Sequence, residues 1–98
     1  MTPTDLIKKV EGLAEARYDA LRAHEVAYRR FGWPSVELDA ANVRCCSTAY
    51  ALRVALGVDL DYALPLVTRG ETSEAYVSRS MNSFAPALRS LEASKGQG

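Results

Sequence analysis

Apolar residues recur at helical intervals from the start of the chain. Ile7, Val10, Ala14, Tyr18, Leu21 and Tyr28 fall along one stripe, with Leu6, Leu13 and Phe31 on its flanks. Thr4 is placed to cap a helix that carries Asp5 in its first turn, where the dipole favours negative charge. The run "FGWP" supplies Gly32 just past the end and Pro34 beyond it. The pattern predicts one helix over residues 4–31, roughly 40 Å long at 1.5 Å per residue. A domain of this size has a radius of gyration of about 13 Å. Such a helix projects past the core or meets a second copy. Gly12, inside it, costs about 1 kcal/mol relative to alanine and predicts a bend or fraying in the first two turns.

In "GWPSVELDA" Val36 and Leu38 alternate with Ser35 and Glu37, which predicts a short extended piece in the linker. Asp39 is the expected cap of a second helix, "AANVRCCSTAYALRVAL", closed by Gly57. This segment is apolar almost all round. Only Arg44, Ser47 and Thr48 make a polar side, with Arg53 set apart. A helix of that kind is expected to be buried, which puts it at the centre of the fold. In "VDLDYALPLVTRG", Asp59 or Asp61 can cap a single turn, and Pro65 disfavours a continuing helix. Thr72 or Ser73 then caps a last helix, in which Val77, Met81, Phe84, Leu88 and Leu91 step by 4, 3, 4 and 3. Pro86 lies off that stripe. The expectation is one kinked helix or two short collinear ones with Ser83 capping the second.

These elements predict an all-α fold. It is a small single domain over residues 1–98, a helical bundle of about four helices, with the long N-terminal helix packed on a buried Ala/Cys-rich central helix. Residues 1–3 and 93–98 are expected to fray.

Composition narrows the function. The chain has 98 residues, 48% of them hydrophobic and 24% charged, as in an ordinary globular domain. Twelve basic residues balance twelve acidic ones, and the balance holds in each half. A nucleic-acid binder usually carries a basic excess, because phosphate contacts dominate its affinity. The N-terminus has no secretory pattern, and no apolar run approaches the roughly 20 residues of a membrane span. A cytoplasmic protein with reduced thiols and no membrane contact is expected.

Cys45 and Cys46 are the residues that most resemble chemistry. Adjacent helical residues point about 100° apart, so a disulfide between them is strained. One histidine and two neighbouring cysteines do not supply a metal's ligands, and neither metal nor cofactor is expected. A nucleophilic cysteine needs a lowered pKa. Both thiols lie near a helix start, and His24 is the lone imidazole, read as core-edge packing. Papain-like cysteine hydrolases also place their cysteine at the start of an apolar helix. They carry the histidine downstream on a sheet, and this chain has none after position 24. The leading expectation is packing, with Cys45, Cys46, Ala49, Leu52 and Leu56 as one contact surface. A cysteine hydrolase fragment or thiol switch is the third-ranked function.

The second-ranked function is a helix-turn-helix DNA-binding regulator over residues 59–81, using residues 73–83 as recognition helix, although Pro65 falls inside the motif's first helix. The first-ranked function is non-enzymatic binding of another protein, as a small adaptor or inhibitor. "RRFGWPS" places Trp33 beside Arg29 and Arg30 at a helix end, and tryptophan and arginine are enriched in binding hot spots. Arg22 and Tyr28, on the same helix, complete the candidate partner-binding set. The alternative for Trp33 is a plug over the core. The long N-terminal helix also suits a homodimer. Small accessory proteins of bacteria and phages, including inhibitors of host defence, share this general build, and no motif here marks a family.

Overall fold

The computed structural model describes residues 2–96 of the chain. It is all-helical, with α1 (Pro3–Phe31), α2 (Val36–Leu56) and α3 (Ser73–Gly96). Among the described residues there are three helices rather than about four, because Gly57–Thr72 forms turns and extended chain around Pro65.

The cap of α1 lies two residues earlier than its pattern suggested. Thr2 is the cap: its side chain accepts from the Asp5 N–H at 3.1 Å, and the Asp5 carboxylate accepts from the Thr2 N–H at 3.3 Å. Pro3 takes the first helical position, where a missing N–H costs nothing and φ is already helical. Thr4 therefore lies within the first turn. The helix runs through Gly12 and ends at Gly32, whose φ of 69° suits glycine. The first turn of α2 replaces the expected extended piece. The Ser35 side chain accepts from the Leu38 N–H at 3.1 Å, so Ser35, not Asp39, is the cap. Asp39 instead joins Glu37 near the positive end of the helix dipole. Gly57 closes α2 in the left-handed conformation. Thr72 caps α3 by accepting from the Ala75 N–H at 3.2 Å. α3 then continues through Pro86 and residues 93–96 as one helix. Of the ends expected to fray, Met1, Gln97 and Gly98 lie outside the described residues.

The central element is α1, not α2. α1 packs extensively on α2 and less so on α3, while α2 and α3 barely meet. The main core joins Leu6 and Val10 of α1, Leu52 and Leu56 of α2, and Phe84 of α3, with Val58, Tyr62 and Leu64 of the connecting segment packed against it. α2 is buried on one side only, through Leu38, Ala41, Ala49, Leu52 and Leu56. Its outer side exposes Val36, Val43, Tyr50 and Val54. The physical reason is the missing fourth helix: residues 58–72 fill the gap between α2 and α3 and leave the far side of α2 uncovered. The stripe on α1 is also displaced. Leu6, Val10, Ala14, Arg17, Ala20 and Ala27 are buried, whereas Ile7, Tyr28 and Phe31 are exposed.

α3 runs antiparallel to the first half of α1. Pro3 and Leu6 share a groove with Leu88 and Glu92, and at the other end the Tyr18 ring meets that of Tyr76. Past Tyr18, α1 packs on α2 through small residues, Ala23 and Ala27 against Leu38 and Ala41. The molecule is therefore elongated, 50 × 24 × 20 Å, with a two-helix arm at one end.

The segment before α3 is held by side chains. Arg53 Nε donates to the Tyr62 carbonyl at 2.9 Å, and the Tyr76 hydroxyl donates to the Pro65 carbonyl at 2.8 Å. The Arg79 guanidinium donates twice to the Glu71 carboxylate, at 2.9 Å each, and once to the Leu66 carbonyl. No helix forms over residues 59–70, so the first helix of a helix-turn-helix is absent. Residues 73–83 are the opening turns of α3, with Tyr76 and Ser80 buried.

Candidate binding surface

Large side chains of the link between α1 and α2 and of the turns that flank it stand outside the core. Trp33 is 72% exposed and Tyr28 60% exposed, with Phe31 and Val36 exposed beside them in the chain. Trp33 does not plug the core. Glu25 bridges Arg22 and Arg29, at 3.2 Å and 2.9 Å. These are the i,i+3 and i,i+4 pairs that neighbouring turns allow, and exposed pairs of this kind contribute only a few tenths of a kcal/mol, roughly 0.3–0.5. The Arg30 guanidinium lies 5.7 Å from the centre of the Phe31 ring. The five sequence-nominated residues thus share the arm: Arg22, Tyr28, Arg29 and Arg30 on the last turns of α1, and Trp33 in the four-residue link to α2.

The stripe that feeds the arm has a definite register. Arg17, Leu21, His24, Tyr28 and Phe31 step by 4, 3, 4 and 3. Burial falls steadily along it: Arg17 is buried, Leu21 and His24 are half-buried, and Tyr28 and Phe31 are exposed. The change begins where α3 begins, beside Tyr18. α3 covers this side of α1 lower down and covers nothing above.

At the base of the arm an open cleft of about 500 Å³ separates α1 from α2. Arg17 and Leu21 of α1 face Cys45, Ala49, Tyr50 and Arg53 of α2 across it, with Cys46 and Leu60 at its edge. Arg17 is 7% exposed, and its Nε has no hydrogen-bond partner among the described residues. Arg17 was not nominated from the sequence. The usable signal was its register between Ala14 and Leu21, on the stripe that becomes core.

The thiols are not interior scaffolding. Cys45 is half-buried, Cys46 is exposed, and both line the cleft. Burial pushes the Cys45 thiol above its ordinary value, and the nearby Arg17 charge only partly opposes it. A raised thiol stays protonated at neutral pH and is a poor nucleophile. His24 is not among the residues lining the cleft. Among the described residues no three of the His, Cys, Asp and Glu side chains gather as a metal site, and no helix is long and apolar enough to cross a membrane.

Comparison with known protein families, with curated proteins and with solved structures finds no match to this chain.

Proposed function

We propose that this chain is a non-enzymatic protein-binding module, a small adaptor or inhibitor, that receives an amphipathic helix of another protein along its arm. The carrying observation is the α1 stripe Leu21, His24, Tyr28 and Phe31, which continues the core register beyond the end of α3 and is progressively uncovered. Lower down, the same side of α1 is covered by α3. A helix supplied from outside would extend that three-helix packing over the arm. Two helices joined by alanine contacts bury little apolar area, so a third helix has stability to add. Trp33, with Arg29 and Arg30, sits at the open end, where an aromatic anchor and a basic rim suit a partner helix with apolar and acidic positions.

The test is affinity capture with tagged protein and mass-spectrometric identification of what co-purifies. Arg29→Glu with Trp33→Ala should abolish the capture while circular dichroism retains the helical signal. Capture that survives both substitutions would refute the choice of surface. A doubled mass in solution, lost in the same variant, would replace the foreign partner with a second copy of the chain.

A further inference from the structure

We propose that the α1–α2 cleft is an anion-recognition site: Arg17, assisted by Arg53, takes a carboxylate carried on an apolar body. Arg17 and Arg53 both line the cleft, and among the described residues no acidic one does. Arg17 appears in no ion pair among the described residues, and its Nε lacks any acceptor. It is more than nine-tenths buried, and the part of its side chain that stays accessible lines the cleft. Arg53 is held in place by its bond to the Tyr62 carbonyl, which uses Nε. The planar fork of a guanidinium matches a carboxylate in two parallel hydrogen bonds.

The walls set the rest of the ligand. Leu21, Ala49, Tyr50 and Leu60 are apolar or amphipathic, and about 500 Å³ falls within the usual range of small-ligand pockets. A small hydrated anion would leave those walls in water. An aromatic or branched aliphatic acid covers them and places its charge on the floor. The same chemistry is offered by a free acid or by an acidic side chain flanked by apolar neighbours on a docked helix.

The two cleft thiols report on the charge beside them. Iodoacetate and iodoacetamide alkylate cysteine by the same displacement of iodide and differ in that only the first is anionic. Site-resolved labelling of Cys46 in the native protein should favour iodoacetate, relative to the ratio in the urea-unfolded chain, by roughly tenfold. Arg17→Met should remove most of this preference without slowing iodoacetamide. The probe 4-phenylbutyrate should protect the native thiols from both reagents, and its uncharged amide should not. If Arg17→Met fails to fold, Arg53→Gln serves, with a partial loss of the ratio. An unchanged native ratio, or protection by acid and amide alike, overturns the proposal. Excess 4-phenylbutyrate during affinity capture sorts the two sources. Loss of the captured protein assigns the carboxylate to that partner's side chain, and undisturbed capture alongside thiol protection assigns it to a free acid. The labelling result stands whether or not Trp33 and Arg29 prove to bind a partner.

Discussion

The Tyr18 hydroxyl donates a 2.8 Å hydrogen bond to the Glu71 carbonyl, 53 positions away in sequence. Its ring lies 5.8 Å from that of Tyr76, tilted by 43°. This contact fixes where α3 joins α1 and therefore where the arm starts. Tyr18→Phe keeps the ring and removes the bond, so it should lower stability by about 1 kcal/mol. The reading is a shift in the urea midpoint at constant slope. An unmoved midpoint would show that the Glu71 carbonyl is equally well served by water.

Glu71 gives the same joint a pH dependence. The Arg79 guanidinium, and after it the Thr68 N–H, holds the Glu71 carboxyl at about 2, below its ordinary value of 4.5. A depressed acid stabilises the fold above its unfolded value, and the contribution is lost as the proton returns. The wild-type midpoint should therefore fall between pH 4.5 and pH 2 by more than that of Glu71→Gln, and Glu71→Gln should be the less stable of the two at pH 7. Carboxyl titration by NMR gives the direct check: a Glu71 that titrates near 4.5 contradicts the clamp.

Two glycines should respond in opposite directions to alanine. At Gly57 φ is +67°, and an added Cβ would stand 3.0 Å from Leu91 Cδ2. Gly57→Ala combines left-handed strain of about 1–2 kcal/mol with a contact the Leu91 side chain must yield to. At Gly12, inside α1, nothing beyond its chain neighbours and the local helix backbone lies within 4 Å of an added Cβ, and Gly12→Ala should stabilise by roughly 0.5–1 kcal/mol. Thermal unfolding of the two variants should bracket the wild type. A destabilised Gly12→Ala would mean that the first turns of α1 need their looseness.

Much of the local structure was legible because it depends on neighbours in the chain. The stops at Gly32 and Gly57 and the disruption at Pro65 follow from backbone chemistry alone. The caps at Thr2 and Ser35 were read late because Thr4 and Asp39 are equally good cap types, and only the position of the first turn separates them. The face of α2 was not legible. A helix with alanine, cysteine and valine on every side has no preferred direction, so its burial is decided by what stands beside it. Without a fourth helix, Val36, Val43, Tyr50 and Val54 face outward. Arg17 was missed for a related reason: a single arginine on an apolar stripe reads as solvated until the elements that bury it are in place. Of the nominated residues, Tyr28, Arg29, Arg30 and Trp33 are exposed and Arg22 is half-buried; the capture experiment tests them as a contact surface.

The half-length reach of α3 divides the molecule into two regions of unequal cooperativity. Backbone amides near Val10 and Leu52 sit where three elements interlock and should exchange with solvent only on global opening, whereas those from Ala23 to Phe31 and from Glu37 to Ala41 are guarded by one neighbour and should exchange through a cheaper local excursion. The molecule is thus a firm base carrying a softer finger, and whatever clasps that finger stiffens it in the act of binding.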